Sequence, residues 1–369
     1  MQTEFTEEQN LLRQGAARFV ERQYQFEART RLAATPQGFS EEHWRRFGDL
    51  GWLAMGLSEE FGGVGGSMVD VIVVAEELGR GLVQEPFVAC GVLGARALAA
   101  CGTYDQRREW LPSLASGERR LALAHSETAG PESVRTVARP IANGYVLNGH
   151  KSVVQGLPAA HGVLVTARIE GADRLSLFLV DLDAENIEIK RYRTIDQAPA
   201  GDLGLLNVQV PASALVGQAS AADAPLVQAW DDSVIASCAQ AVGAMDRALW
   251  ITRDYLKARE QFGVTLSTFQ ALQHRMAEMF IELEQSRSML YRGVSALSAP
   301  ARDRRRMIAA VKAYISQAAK FVGGQTIQLH GGIGITDEYI ISHYYKRLIV
   351  FAGLFGDAEH HLEAFAADL

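Results

Sequence analysis

The chain has 369 residues, 48% of them hydrophobic and 21% charged, with a formal net charge of −7. That length exceeds one small core and sets an expectation of two or three packed units. The acidic balance excludes a nucleic-acid surface, which needs clustered excess Lys and Arg. The cysteines, Cys90, Cys101 and Cys238, form no C-x-x-C pair, so no disulfide framework is expected and a reducing, cytoplasmic setting fits. The start, MQTEFTEEQNLLRQ, lacks a basic region followed by an apolar one, which reads as no signal peptide. No apolar run approaches the roughly 18 residues that span a bilayer.

The first 120 residues read as helices. Thr6 with Gln9 forms a capping box, and Leu11, Leu12, Ala16, Phe19 and Val20 follow at helical spacing. Ser40 is a second N-cap, and Trp44, Phe47 and Leu50 make the stripe behind it. The glycines of LSEEFGGVGGS, residues 57–67, mark a loop. Residues 69–78 and 86–98 are apolar helical runs, and 106–111 is a short helix that Pro112 ends.

Near residue 120 the pattern changes. Segments 121–126, 145–150, 161–168, 175–182 and 186–191 are short, β-branched or alternating. Asn143-Gly144 before Tyr145-Val146-Leu147 signals a hairpin. A small antiparallel β-domain is expected. From about residue 222 the chain is helical again, with long runs at 226–257, 267–297 and 303–329 that suit a bundle. The expectation is an α+β chain of three domains: an N-terminal helical domain at 1–120, a middle antiparallel β-domain at 121–222 and a C-terminal four-helix bundle at 223–369.

Four stretches carry a resemblance: YLKAREQFGVTLSTFQALQHRM at 255–276, QLHGGIGITDEY at 328–339, GYVLNGHKSVV at 144–154 and LGWLAMGLSEEFGGVGGS at 50–67. In this order they resemble the acyl-CoA dehydrogenase family across nearly the whole chain. The runs YLKAREQFG, FQALQHRM, QLHGGIG and the tail from Lys346 to Leu362 resemble the small subunit of pimeloyl-CoA dehydrogenase. Related two-subunit dehydrogenases act in steroid side-chain breakdown.

The resemblance implies FAD shared between two chains, hence an oligomer, with electron-transfer flavoprotein as acceptor. It places Arg259 on the FAD pyrophosphate, where a guanidinium can donate two parallel bonds. Phe262 then lies beside the cofactor on the Tyr255–Arg259 helix face, and Gly263 ends that helix. Phe269 and Gln270 form the Phe-Gln pair. Gln328, Gly331 and Gly332 form a second cofactor strip, since glycines admit a phosphate close to the backbone. His330 between them reads as a packing residue with no metal set around it. The family's flavin-covering stretch matches HSETAGPES, residues 125–133, only at its start, through Ser126 and Glu127. The usual Trp and Thr are replaced by Val153 and Gln155.

The reaction on an acyl-CoA thioester needs a carboxylate to remove the α proton while a hydride leaves the β carbon. Where most members have Glu-Gly, this chain has Phe355-Gly356. Where others place the Glu on the first long C-terminal helix, it has Ser233, followed by Val234 in place of an Arg that holds CoA. Asp232 is adjacent but about 100° around the helix, and is the in-chain candidate for the base. Asp357 is a weaker one. These departures suggest an accessory chain whose catalytic Glu comes from a partner. The competing readings are a self-sufficient dehydrogenase using Asp232, a flavin oxidase or hydroxylase, and a non-catalytic relic of the fold.

Overall fold

The computed structural model describes residues 5–127 and 134–367. The chain forms two compact units, one of Met1–Arg31, Ile72–Val83 and Val234–Leu369, the other of Leu32–Val71 and Gln84–Ser233. Six helices come first: α1 (Glu7–Gln23), α2 (Phe26–Ala34), α3 (Glu41–Asp49), α4 (Met68–Arg80), α5 (Ala95–Cys101) and α6 (Tyr104–Ala115). Eight strands follow: β1 (Leu121–Ala124), β2 (Val137–Ile141), β3 (Gly144–Gln155), β4 (Gly162–Ile169), β5 (Leu175–Val180), β6 (Ile187–Arg193), β7 (Pro199–Pro211) and β8 (Leu215–Val216). Then come α7 (Asp223–Ala258), the two-residue strands β9 (Glu260–Gln261) and β10 (Val264–Thr265), and the helices α8 (Gln270–Ala296), α9 (Ala301–His330), α10 (Ile340–Gly353) and α11 (Ala358–Ala367). Among the described residues no helix is long and apolar enough to cross a membrane.

The expected caps form. Thr6 Oγ1 accepts from Gln9 N at 3.2 Å while Gln9 Oε1 accepts from Thr6 N at 3.1 Å, and Ser40 Oγ accepts from His43 N at 3.2 Å. Trp44 and Phe47 are buried, but Leu50 caps its helix and is exposed. Two helical expectations are corrected. Residues 87–94 form a π-helical turn rather than a continuous α-helix. Its last residue, Gly94, lets β1 approach until a Cβ there would stand 1.8 Å from Leu121 O. The helix holding Pro112 runs on to Ala115, because Thr103 and Gln106 cap its start and a proline removes only one interior hydrogen bond.

The sheet is mixed, which corrects the antiparallel expectation. Its order is β6-β7-β3-β2-β4-β5-β8, with β1 also on β4. Residues 121–124 of β1 run parallel to 162–165 of β4, and 137–138 of β2 run parallel to 168–169 of the same strand. So β1 and β2 lie end to end along one edge of β4, with a break between them. Sequence patterning passes over β2 and β7 because Pro140, Pro199, Gly201 and Gly204 look like breakers. Pro140 is tolerated because it lies beyond the two β2 residues that pair with β4.

In the helical unit, α9 packs against α8, α10 and α11. The crossing of α4 and α7 is glycine-mediated. A Cβ on Gly79 would stand 2.1 Å from Gln240 O, and one on Gly243 would stand 1.9 Å from Glu76 O. Arg80 and Arg287 bridge the same helices through Glu76 and Asp246. Gly243→Ala is therefore expected to destabilise the protein by about 3 kcal/mol in urea unfolding. Gly324→Ala, which has open space at its Cβ, should instead stabilise by up to about 1 kcal/mol.

Candidate functional site

In the helical unit, α7 ends at Ala258 and Arg259 leads directly into a tight hairpin. Val264 pairs with Gln261 and Thr265 with Glu260. The two loop residues have positive φ, +56° at Phe262 and +80° at Gly263, as a primed hairpin turn requires. This corrects the shared helix face. Phe262 stands on a hairpin tip, not on the Tyr255–Arg259 face, and Gly263 closes the hairpin rather than the helix. The Phe262 ring is 90% exposed and meets Phe269 edge-on at 6.2 Å. Leu266 N donates to Arg259 O at 2.9 Å, and Gln270 opens α8 with its side chain exposed.

The second strip lies against the same corner. His330 stacks on Tyr255 with ring centroids 4.4 Å apart, and Tyr255 Oη donates to His330 O at 3.3 Å. Burial holds the His330 imidazole below its ordinary pKa. Gln328, Gly331 and Gly332 are exposed beside it. Gly331 has φ +64°, and a Cβ on either glycine would meet nothing within 4 Å. Arg259 is exposed and has no ion-pair partner among the described residues. An unpaired guanidinium and an exposed amide beside a bare, open glycine strip fit a dinucleotide diphosphate.

In the sheet unit, the break between β1 and β2 is bridged by polar groups. Lys151, fully buried on β3, donates to His125 O at 3.2 Å, Thr166 Oγ1 at 3.2 Å and Glu127 Oε1 at 2.7 Å. Glu127 also accepts from Thr136 N and Oγ1 and from Arg135 N. Burial pushes Lys151 down to about 8 against the pull of Glu127. Burial alone would raise Glu127, but these hydrogen bonds hold it below the ordinary carboxylate range. Ser126 lies inside this clamp, and its carbonyl accepts from Ser152 N at 2.9 Å. Three residues on, Gln155 closes β3, half-buried. Between them β3 bulges. Its register against β7 shifts after Lys151, Val153 turns to φ +52°, and Val153 N donates to Asp202 Oδ1 at 3.0 Å. Residues 128–133 of the HSETAGPES stretch lie outside the described residues.

Neither base position holds a free carboxylate. Asp232 is buried; its Oδ2 pairs with Arg96 and its Oδ1 accepts from Gln228 at 3.1 Å. Ser233 Oγ turns back to Ala229 O at 2.7 Å. Phe355 and Gly356 follow α10 with φ +59° and +94°. Asp357 caps the start of the next helix by accepting from His360 N at 3.0 Å. Beneath this turn lies Lys312, fully buried, with Nζ donating to Ser316 Oγ at 2.8 Å, Gly356 O at 3.1 Å and Phe351 O at 3.2 Å. Sequence reading missed this lysine, although it interrupts the apolar stripe of Ile308, Ile315 and Ala319. It also passed over Arg96, for which the sequence offers no signal. Lys151 stood inside a quoted motif without a role.

The family models of the acyl-CoA dehydrogenase N-terminal and C-terminal domains match residues 6–118 and 229–369. A probable acyl-CoA dehydrogenase of Bacillus subtilis, YngJ, is 30% identical over 351 residues, 92% of each chain. A solved Tcur3481-Tcur3483 steroid ACAD variant is 31% identical with a TM-score of 0.88, over 98% of this chain and 97% of that one. The ChsE4-ChsE5 complex from Mycobacterium tuberculosis is 25% identical with a TM-score of 0.91, over 100% and 98%. This chain belongs to the acyl-CoA dehydrogenase family, flavoprotein oxidoreductases whose cofactor is FAD and whose substrates are acyl-CoA thioesters.

Two measurements follow. Asn suits positive φ better than Phe, so Phe262→Asn should stabilise the isolated chain by about 1 kcal/mol in denaturant unfolding. Burial pushes Lys312 down to about 8 from its ordinary 10.5. Between these values the unfolded chain binds the proton and the folded one does not, so stability rises with pH across that window. Lys312→Met should flatten the part of that rise due to Lys312, read as unfolding midpoints at pH 8 and pH 10.

Proposed function

We propose that this chain is the accessory subunit of a two-subunit, FAD-dependent acyl-CoA dehydrogenase whose catalytic Glu comes from the partner chain. The observation that carries the reading is Phe355 at the Glu-Gly position, because a phenyl ring accepts no proton. Asp232 cannot stand in as a free base while both its oxygens are engaged. The cofactor edge is retained beside these losses, and two of the structural relatives bear two-component names.

In this reading Arg259 donates a forked pair of bonds to the FAD diphosphate, and the Gly331–Gly332 backbone and Gln328 close around it. Phe262, Phe269 and Gln270 exclude water from that seam. FAD supplies hydride acceptance when bound; the α-proton acceptor belongs to the partner. Ser126 and Gln155 mark this chain's own flavin-side edge, where Val153 offers no aromatic wall. The family's three segments, 1–120, 121–222 and 223–369, divide these tasks in a cytoplasmic oligomer that passes electrons to electron-transfer flavoprotein.

The test is co-expression with a dehydrogenase-like chain that keeps the Glu-Gly pair, assayed with an acyl-CoA and ferrocenium. Turnover is expected only in the complex. Full turnover by the single chain would reject the proposal. In the complex, Arg259→Ala should weaken FAD binding about 10- to 100-fold by loss of charged hydrogen bonds, read as flavin retained on gel filtration. Unchanged retention would remove Arg259 from the cofactor seam.

A further inference from the structure

We infer that Arg96 and Asp232 form an ionic stopper in this chain's own acyl half-site, so that it refuses an apolar acyl thioester. The inference rests on the accessory-subunit reading, in which that half-site carries out no chemistry. Position 233 on α7 is where the resemblance puts a helix-borne base, and so where a thioester α carbon would be reached. Ser233 there is fully buried and bonded to its own helix.

Next to it three segments of the sheet unit converge on one guanidinium. Arg96 rises from α5 and pairs through Nη1 with Asp232 Oδ2 on α7. Its Nη2 reaches Met55 O at 3.5 Å. It also lies over Gly56, where φ is +72° and a Cβ would stand 2.2 Å from Nη2. A glycine is thus what leaves the guanidinium room. Gln228 Nε2 donates to the second Asp232 oxygen at 3.1 Å.

The side chains of Arg96 and Asp232 are 13% and 8% exposed. A buried ion pair seldom adds stability over apolar residues of the same volume, so stability does not explain its presence. Its effect on an entering alkyl chain is direct. The chain would part the two charges and leave each buried without its counter-ion, Asp232 with only Gln228 and Arg96 with only the Met55 carbonyl.

The experiment is calorimetric titration of octanoyl-CoA, with free CoA as reference, into the purified single chain. Wild type is expected to bind octanoyl-CoA no better than CoA. The double variant Arg96→Met with Asp232→Leu, apolar and of similar volume, should bind octanoyl-CoA at least tenfold tighter than CoA. If that variant does not fold, Arg96→Gln with Asp232→Asn keeps hydrogen bonding and removes both charges, and should show the same preference in smaller measure. Wild type preferring octanoyl-CoA as strongly as the variants, or a folded variant with no preference, would overturn the stopper. The accessory reading fails by a separate result, turnover by the wild-type single chain.

Discussion

The edge of the sheet unit where β1 and β2 meet β4 hangs on one buried ammonium group. Strand β4 has a single edge to offer and two short strands, β1 and β2, share it in line. Ser126 and Glu127 follow β1 at this break. A break of this kind strips a row of backbone groups of their partners. Lys151 fills the gap with three donors, and Glu127 returns the charge while receiving the backbone N–H of Arg135 and the N–H and hydroxyl of Thr136. The ion pair is thus a structural substitute for a missing stretch of ladder, and it fixes the chain at Ser126 and Glu127.

Three of the eight non-glycine residues with positive φ among the described residues carry a second constraint. Val153, Phe262 and Phe355 all have positive φ, between +52° and +59°. Such conformations are uncommon for aromatic and β-branched residues, and persist when the surroundings over-determine them. Each falls where the family resemblance assigns work: the flavin wall, the diphosphate edge and the Glu-Gly pair. All three positions turn the main chain, and the side chains at 153 and 355 depart from the residues the resemblance expects.

The helices were legible because their signals are local. Caps such as Thr6 and Ser40, and long periodic runs such as 303–329, report through neighbours three and four residues away. The parallel pairing of β1 and β2 with β4 was not legible, since nothing in either strand encodes which edge it meets. The hairpin at 260–265 was mistaken for a helix end because Gly263 serves both equally well in sequence. The partner of Asp232 lies 136 residues away, so its neutralisation by Arg96 left no trace in any local pattern. Lys312 did leave one, a single charge in an apolar stripe.

The glycine crossing of α4 and α7 has a reach beyond its own contact. Because main chain touches main chain there, side-chain rotamers do not set how the two helices are rotated and slid against each other. From Gly243 the same unbroken helix runs to Tyr255 and delivers Arg259 to its hairpin. The aim of that arginine is therefore indexed to a rigid reference point four turns upstream, insulated from drift in the surrounding apolar residues. Apolar residues around the crossing could be repacked without misaligning the hairpin that follows Arg259.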